Sequence, residues 1–481
     1  AFFRRKLFQG GDDATAEGVA LLTDTVVEED SSEQPRELSY AQFLSIMSSH
    51  ANDIYNPKAM QQGYDTFRRP LSCYFIASSH NTYLSGDQLT GSCALDRYVD
   101  VLERGCRSVE LHCWDGVPDS DTPYMPVVAH GKSYSDSIAF DEVIRAISEN
   151  AFGLSTAGTV NDMPLIVSLK CNCSWEQQKV MADILKDELG ELLLPRGFGV
   201  VDGQLPTPWD LRGKVLLKGR RIEGKTNNEL YKLFYFSTSH SSDFTEDAAC
   251  TVVNSCDDAE ASRRIGDSVL GDAWTRHNMT CISRVYAGGA RVRSSNMNPT
   301  AAWAKGAQMV ALNYQSEGLP MYLNHGKFLQ NKGCGYVLRP EHLNQPSANP
   351  LTARSISVHI IGGSQLPMPR NVVISPCVMV NLCGVQADTA ERKTKSVEHN
   401  GFNPVWDEAF TFVVTNPDSA HLVLRVMDPG LSRNDFIAFA SIPVVNLREG
   451  FRSVSLFNKD ATRGGAVAHS SLFVRIVSTG L

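Results

Sequence analysis

From residue 70 onward, short β-branched and aromatic runs alternate with amphipathic stretches, and this alternation constrains the fold more than any other feature. Such alternation is typical of a parallel sheet closed by crossover helices. The candidate strands are residues 71–78, 107–114, 126–130, 164–171, 214–219, 231–238, 280–287 and 307–314. The candidate helices are residues 94–104, 139–152 and 174–193, and Ser174 with Gln177 forms a capping box. Eight strands over about 250 residues predict a (β/α)₈ TIM-type barrel.

Two histidines are predicted to end strands of this barrel. The first strand runs into SerSerHisAsnThrTyrLeu at 78–84, so His80 and Asn81 sit at its carboxyl end, where barrel active sites gather. His130 ends the third candidate strand in the same way. Either histidine alone is ordinarily a hydrogen-bonded structural residue. Two of them at equivalent strand ends favour a catalytic pair.

Composition limits the classes of function. The chain has 481 residues, of which 42% are hydrophobic and 20% charged, which is enough for a large core and two or three domains. Its net charge of −8 argues against nucleic acid as the main partner. No apolar run approaches the roughly 18–20 residues that span a bilayer, so any membrane contact should be peripheral. The twelve cysteines form no CxxC pair, which favours reduced thiols in a cytoplasmic protein.

The segments outside the barrel have different patterns. Residues 1–36 are polar and acidic and are predicted to be an unstructured lead-in, and residues 37–50 fit one amphipathic helix. A composition shift at 347–352 marks a boundary, after which strands recur with period two. They are predicted at 354–361, 372–382, 392–398, 409–414, 421–427, 436–443, 451–457 and 471–478. Strands at this spacing predict an all-β sandwich over residues 353–481.

Several long, ordered motifs carry a family resemblance. The first set is ProLeuSerCysTyrPheIleAlaSerSerHisAsnThrTyrLeu (70–84), GlyCysArgSerValGluLeuHisCysTrpAspGly (105–116) and HisGlyLys (130–132), which resembles the X-box of eukaryotic phosphoinositide-specific phospholipase C. The second set is ThrCysIleSerArgValTyr (280–286), MetValAlaLeuAsnTyrGln (309–315) and GlyCysGlyTyrValLeuArgPro (333–340), which resembles the Y-box. AsnGlyPheAsnProValTrpAsp (400–407) and MetAspProGlyLeuSerArgAsnAspPheIle (427–437) make the sandwich resemble a C2 domain.

The resemblance implies a division of the chain. Residues 70–220 and 231–346 correspond to the X and Y halves of the catalytic barrel, and residues 221–230 to a short linker. Residues 37–69 correspond to a helical remnant of the preceding EF-hand region, without a calcium loop. The long acidic insert that inhibits many family members is absent between the two halves.

Roles for three residues also follow from the resemblance. Phosphodiester cleavage by a neighbouring hydroxyl needs a base, a positive group against the phosphoryl oxygens and an acid on the leaving oxygen. By resemblance, Glu110 is the base on the inositol 2-hydroxyl, His80 stabilises the pentacoordinate phosphate, and His130 protonates the departing diacylglycerol oxygen. A cyclic inositol phosphate would then be hydrolysed by the same two histidines in reversed roles.

Headgroup phosphates require cations, and guanidinium groups bind them well. Lys218, Arg220 and Arg284 correspond to the phosphate-binding positions of the family. Tyr286 corresponds to the ring that packs on the inositol, and Thr238 falls near a hydroxyl ligand. Taken by themselves, Lys218 and Arg220 would be interpreted as solvent-exposed residues at the end of a strand. The separate motif of Arg284 and Tyr286 favours the phosphate site.

Calcium is the cofactor that the family implies, and it is doubtful for this chain. Asn81 and Glu110 remain, but His112 and Lys170 replace two carboxylate ligands, whereas calcium requires six to eight oxygens. Lys170 is predicted to face Glu110, either substituting for part of the ion or inactivating the site by pairing with the carboxylate. In the sandwich, the first loop (366–371) has no acid.

The third sandwich loop offers only Asp428 and Asp435, and a turn-forming role suits Asp428 as well as a ligand role does. A structural or protein-contact role for the sandwich is therefore at least as well supported as calcium-driven docking.

Two functions follow from these expectations. The first is a phospholipase C that cleaves phosphatidylinositol 4,5-bisphosphate or a related phosphoinositide to diacylglycerol and inositol trisphosphate at a membrane surface. The second is a catalytically impaired relative that binds phosphoinositides as a scaffold. The histidines, Glu110 and the cations favour the enzyme, whereas His112 and Lys170 favour the scaffold. The sequence leaves protein partners unidentified.

Overall fold

The computed structural model describes nine stretches of the chain: residues 52–56, 64–116, 125–131, 136–154, 160–242, 244, 249–369, 372–430 and 436–480. The predicted lead-in at 1–36 and the predicted helix at 37–50 lie outside these residues. The chain divides into two compact units, residues 61–350 and residues 351–481 with the segment up to residue 60.

A closed parallel barrel forms the first unit. Its strands are β1 (Tyr74–Ser79), β2 (Ser108–Trp114), β3 (Leu165–Cys171), β4 (Val215–Gly219), β5 (Phe234–Ser239), β6 (Val252–Asp257), β7 (Ser283–Tyr286) and β8 (Met309–Leu312). Each strand pairs in parallel with the next, and β1 pairs with both β8 and β2. Within the described residues these eight strands complete the circle, and the prediction of a TIM-type barrel is confirmed.

One predicted barrel strand is wrong. The apolar run at 126–130 forms a short strand, Val127–Ala129, which lies antiparallel to Cys113 and Trp114 at the end of β2 and pairs further with Ser137–Ala139. The eighth barrel strand is instead β6, which the hydrophobic pattern does not predict. Polar Asn254, Ser255 and Asp257 interrupt the apolar pattern of β6, because its carboxyl end lines a polar mouth rather than the core.

Helices connect most of the barrel strands. They are α1 (Asp96–Glu103), α2 (Phe140–Asn150), α3 (Trp175–Leu189), α4 (Asn228–Lys232), α5 (Asp258–Gly266), α6 (Ser268–Thr280), α7 (Thr300–Ala304) and α8 (Leu319–Leu329). The three predicted helices correspond to α1, α2 and α3. At the start of α3 the Ser174 hydroxyl accepts the Gln177 N–H at 3.4 Å, which confirms the predicted cap.

The barrel interior changes from apolar to polar along the strand direction. Side chains two residues apart on a strand share a face, so Ile166, Ser168 and Lys170 of β3 point the same way in succession. Ile166 belongs to a buried apolar cluster with Leu216 and Met309. The residues nearer the carboxyl ends are polar or charged, and this end of the barrel therefore presents a reactive surface above an apolar core.

An antiparallel sandwich forms the second unit. Its strands are β9 (Arg354–Ser364), β10 (Cys377–Cys383), β11 (Ala390–Lys393), β12 (Val405–Val414), β13 (His421–Met427), β14 (Phe436–Pro443), β15 (Gly450–Ser455) and β16 (Ser471–Gly480). The sheet orders are β12-β9-β16-β15 and β11-β10-β13-β14. All eight predicted strands have a counterpart. Residues 52–56 join this unit through bridges from Asp53 to Ser453 and from Tyr55 to Leu447.

Two further findings concern the environment of the chain. No helix within the described residues has the length and apolar character needed to cross a membrane. All twelve cysteines are free thiols.

Buried histidines make the barrel sensitive to acid. Burial lowers the pKa of both His277 and His325 to about 4, and the nearby guanidinium groups of Arg264 and Arg104 act in the same direction. An unfolded histidine titrates near about 6.5, so below that pH the unfolded chain binds more protons. The free energy of unfolding should therefore be intact above pH 6.5 and fall as the pH drops toward 4, by up to about 1.4 kcal/mol per pH unit for each group.

Urea unfolding at pH 7 and pH 5 measures this effect. The double variant His277→Gln/His325→Gln should lose less stability between the two pH values than the parent chain does. An identical loss in both proteins would contradict the assignment.

Candidate active site

His80 directly follows β1 and is fixed by contacts on both sides. Its Nδ1 lies 2.9 Å from Oδ1 of Asn313, the residue directly after β8, and its ring stacks on Tyr286 with centroids 5.9 Å apart. The Asn313 amide nitrogen donates to the carbonyl of Ser294, so its oxygen faces the imidazole and accepts Nδ1–H. Burial lowers the pKa of His80 to about 4. The neutral ring therefore has an unprotonated Nε2.

Glu110, on β2, forms a buried ion pair with Arg284 of β7. Glu110 Oε2 accepts from Arg284 Nη2 at 2.8 Å and from the Asn81 backbone N–H at 3.2 Å. The two side chains are 9% and 4% exposed. Burial alone raises the pKa of Glu110, but Arg284 and the histidines outweigh it and hold the pKa well below its usual range. The carboxylate is thus ionised and already paired.

The predicted headgroup residues surround this ion pair to different extents. Lys218 is buried and its Nζ donates to the Ser168 hydroxyl at 3.2 Å. Burial, with the positive charge of Arg284, lowers the pKa of Lys218 to about 7. The Arg284 guanidinium lies 5.0 Å from the centroid of the Tyr286 ring.

The last two predicted headgroup residues are less enclosed. Arg220 is exposed just after β4, and Thr238 is half-buried near the end of β5. Lys218, Arg284 and Tyr286 are therefore brought together, and the other two stand on neighbouring strand ends.

His130 directly follows the short strand Val127–Ala129 and is joined to His112 of β2 by one hydroxyl group. The Tyr83 hydroxyl lies 2.9 Å from His112 Nδ1 and 3.0 Å from His130 Nδ1. The two imidazole rings are nearly parallel, at 17°, with centroids 6.3 Å apart. Burial lowers the pKa of His130, and His112 lowers it further. The predicted acid thus belongs to a hydrogen-bonded set of three side chains.

The residues at the calcium positions of the family do not fit calcium. Glu110 is paired with Arg284, and His112 Nε2 lies 3.7 Å from Glu110 Oε1. The side-chain nitrogen of Asn81 donates to Gln88, which leaves its oxygen as a single buried acceptor without a partner. One amide oxygen beside an engaged carboxylate is far short of six to eight ligands. In the part of the chain that the structure describes, no cluster of three His, Cys, Asp or Glu residues suits a metal ion.

Lys170 lies near the end of β3, at the mouth of the barrel. The Cα register pairs it with His112, and its side chain is exposed at the barrel mouth. The cation paired with Glu110 is Arg284, so the alternative in which Lys170 pairs with Glu110 is not formed among the described residues, and the alternative in which Lys170 replaces part of the ion stays a prediction. Sequence spacing alone could not show that a guanidinium 174 residues away occupies this carboxylate.

In the sandwich, Asp428 is a buried turn-former. Its carboxylate accepts the backbone N–H groups of Ser375 at 3.1 Å and Gly430 at 2.9 Å. Both oxygens are therefore used within the fold. Asp435 lies outside the described residues.

Several residues around the site were not predicted. Each of them either forms a hydrogen bond with a predicted residue or lies close to the charge of one. They are Tyr83, Gln88, Ser168, His240 and Asn313. Tyr83 had one signal in the sequence, since it lies three residues after His80. The others are recognisable only from tertiary contacts.

Comparisons with known proteins agree with this geometry. Residues 67–221 match the family model of the phosphatidylinositol-specific phospholipase C X domain, residues 230–342 that of the Y domain, and residues 354–458 that of the C2 domain. The human 1-phosphatidylinositol 4,5-bisphosphate phosphodiesterase delta-4 is 35% identical, over 96% of this chain and 67% of its own length. The chain belongs to the phosphoinositide-specific phospholipase C family.

Other phospholipases C extend the comparison. The rat delta-1 phosphodiesterase is 35% identical over 92% of this chain and 64% of its own length. The crystal structure of S. officinalis PLC21 superposes with a TM-score of 0.85 at 29% identity, covering all of this chain and 65% of that one. The chain thus spans about two thirds of the length of these phospholipases.

Proposed function

We propose that this phospholipase C relative hydrolyses phosphatidylinositol 4,5-bisphosphate or a related phosphoinositide to diacylglycerol and inositol trisphosphate. The observation that carries the proposal is the arrangement of His80 and His130 around one polar barrel mouth with the buried cations Lys218 and Arg284. Cations in a site of low polarity bind phosphate oxygens strongly, and two imidazoles supply proton transfer on either side of the phosphorus.

The contacts favour His80 for the first proton transfer. The family role of Glu110 as base stays a prediction, and its carboxylate is already engaged by the Arg284 guanidinium at 2.8 Å. His80 has an unprotonated Nε2 when Asn313 accepts Nδ1–H. In this scheme His80 takes the proton of the inositol 2-hydroxyl as its oxygen attacks phosphorus. His130 starts as the imidazolium, gives its proton to the departing diacylglycerol oxygen and becomes neutral, and a cyclic phosphate results.

Hydrolysis of the cyclic phosphate uses the same two groups in reverse. His130 takes a proton from water, the water oxygen attacks phosphorus, and His80 returns its proton to the 2-hydroxyl oxygen. Both histidines then regain their starting states, so the proton balance closes without a metal. Arg284 and Lys218 stabilise the negative charge on the phosphoryl oxygens in both steps.

Calcium is not part of this proposal, although the family implies it. The donor set around Glu110 consists of one engaged carboxylate, one amide oxygen, one imidazole and an ammonium group at the mouth. Such a set disfavours a hard cation. The charge that the phosphoryl oxygens need comes from side chains instead.

The site also supports a second candidate function. The buried Glu110–Arg284 pair favours a chain that binds phosphoinositides without cleaving them, because the pairing occupies both a base candidate and a phosphate ligand. The partner is the same in both cases, namely a phosphoinositide in a membrane surface. Both functions require a cytoplasmic, peripherally associated protein and no nucleic acid.

Hydrolysis of labelled phosphatidylinositol 4,5-bisphosphate in mixed vesicles distinguishes the two functions. His80→Gln and His130→Gln should each lower the rate by about 10²- to 10⁴-fold, the range for general acid–base groups. Vesicle binding should persist in both variants. His359→Gln is the matched control, since His359 pairs with Asp407 in the sandwich. Binding of the parent chain without any hydrolysis would establish the scaffold function.

A further inference from the structure

A group of sulfur atoms lies on the outer side of the barrel wall, away from the proposed pocket. Cys113 of β2 and Cys171 of β3 are register partners on neighbouring strands, and Cys173 follows two residues later. The Cys171 sulfur lies 3.8 Å from the thioether sulfur of Met181 in α3. Lys170 and Cys171 are successive strand residues, so their side chains point to opposite faces of the wall. The Cys171 thiol therefore faces the helices, whereas Lys170 lies at the barrel mouth.

Cys171 and Cys173 are near neighbours in space as well as in sequence. Their thiol groups share a hydrogen bond. Two residues of chain separate Cα atoms by at most about 7 Å, and a disulfide requires about 4.4–6.8 Å. Backbone hydrogen bonds donated by Asn172 and Ser174, each 2.8 Å long, fix the chain on either side of Cys173. A disulfide between the two thiols is therefore within reach of this segment.

The three thiols of this group differ in their access to solvent. Cys171 is partly exposed, whereas Cys113 and Cys173 are buried. Oxidation of thiols follows access, so an oxidant in solution reaches Cys171 first. The Cys113 thiol is directed at the Leu111 carbonyl, 3.9 Å away, while the Cys173 thiol is directed at Cys171. An accessible thiol beside a second, resolving thiol is the arrangement found at redox-sensing cysteines.

We propose that Cys171 and Cys173 form an oxidative modification site, at which a hydroperoxide oxidises Cys171 and Cys173 then closes a disulfide. The Cys171 sulfur attacks one peroxide oxygen, a sulfur–oxygen bond forms as the oxygen–oxygen bond breaks, and an alcohol leaves. The Cys173 sulfur then attacks the Cys171 sulfur and displaces its oxygen as water. Two thiols and one hydroperoxide thus give a disulfide, an alcohol and water, and the two electrons lost by sulfur reduce the peroxide. The site does not depend on the proposed lipid hydrolysis.

Mass spectrometry of the reduced full chain after treatment with hydrogen peroxide tests the site. Trypsin cleaves after Lys170 and Lys179, so Cys171 and Cys173 share one peptide that contains no other cysteine. After alkylation of the remaining thiols, this peptide should carry no alkyl group and be two hydrogen atoms lighter than its reduced form. Dithiothreitol should restore both alkylation sites. Full alkylation of the peptide after excess peroxide would overturn the proposal, and a cross-link to the peptide of Cys113 would overturn the assignment of Cys173.

Two single variants separate the roles of the two thiols. Cys173→Ser should leave Cys171 as a sulfenic acid that dimedone traps, because the thiol that would close the disulfide is missing. Cys171→Ser should leave Cys173 reduced, because Cys173 is buried and has lost its reactive neighbour. Dimedone labelling of Cys173 in Cys171→Ser would contradict the proposed order of attack. If either variant fails to fold, the peptide analysis of the parent chain still decides whether the disulfide forms.

Cys334 is a matched control within the same chain. It is partly exposed, as Cys171 is, but its thiol is directed at the Tyr336 carbonyl, 3.7 Å away, and burial raises the pKa of Cys334 to about 11. Peroxide should therefore remove Cys171 from alkylation about tenfold faster than Cys334, or more. Equal rates at the two positions would show that oxidation follows exposure alone, and this result would overturn the special role of the thiol pair.

Discussion

Arg284→Met should produce the largest loss of stability and of headgroup recognition of any single substitution in the pocket. The change leaves the buried carboxylate of Glu110 without its guanidinium partner at 2.8 Å. Breaking a buried ion pair by removing one partner costs about 3–5 kcal/mol. Urea unfolding at pH 7 measures this loss. It should shrink as the pH is lowered, because protonation of Glu110 removes the unpaired charge.

The double variant Arg284→Met/Glu110→Gln separates the ion pair from other effects. Removing both charges should recover most of the lost stability, since no unpaired ion remains in the barrel. Arg291→Met is the matched control, because Arg291 pairs with Asp258 at 2.7 Å where both groups are partly exposed. That pair should be worth no more than about 1 kcal/mol. Equal losses in the two arginine variants would contradict the special role of Arg284.

The same substitution should change lipid preference. Arg284 and Lys218 are proposed to neutralise headgroup phosphates, so Arg284→Met should weaken binding to phosphatidylinositol 4,5-bisphosphate far more than binding to unphosphorylated phosphatidylinositol. Vesicle sedimentation with each lipid measures the difference. Equal weakening for both lipids would show that Arg284 does not read the phosphates.

Hydrolysis by the parent chain should resist calcium chelators, and this is the second prediction with a large effect. The rate should change less than about twofold with excess chelator, because side chains supply the positive charge on the phosphoryl oxygens. The double variant His112→Asp/Lys170→Glu restores carboxylates at two family ligand positions. Its activity should fall about tenfold or more when calcium is removed, which corresponds to about 1.4 kcal/mol in the barrier.

Two further measurements make this prediction decisive. Calorimetric titration with calcium should show binding to the double variant and none to the parent chain. Lys170→Ala should reduce the chelator-resistant rate modestly, because the exposed ammonium contributes only a screened positive charge at the mouth. The prediction fails if the parent chain hydrolyses phosphoinositides only when calcium is supplied.

Local patterns predicted the architecture well and the site contacts poorly. The barrel class and the sandwich follow from periodicity, which depends on neighbours in sequence. The Val127–Ala129 run was misassigned because a short apolar run has the same pattern in a parallel barrel strand and in a short strand that pairs antiparallel to the end of a barrel strand. Strand β6 was not predicted because its polar residues, which lie at the barrel mouth, break the apolar pattern expected of a buried strand.

The contacts that define the chemistry join distant parts of the chain. Motif matching found Glu110 and Arg284 separately, but it could not show that they neutralise each other. It placed Lys170 beside Glu110 because the family places a ligand there. The hydroxyl bridge of Tyr83 spans 29 residues in one direction and 47 in the other. Such partnerships depend on side-chain geometry, which sequence periodicity does not encode.

His130 directly follows the short strand Val127–Ala129, which lies outside the barrel, so the proposed acid is attached separately from the proposed headgroup residues on the barrel strands. Among the described residues, two register pairs join this strand to β2, namely Cys113 with Val128 and Trp114 with Val127. The eight barrel strands close without it. Substitutions in this short strand could therefore alter or remove the proposed proton donor His130 without changing the proposed phosphate ligands Lys218 and Arg284. A lipid-binding descendant and a working enzyme would then differ by a few residues in one peripheral hairpin, with no change to the architecture of the barrel.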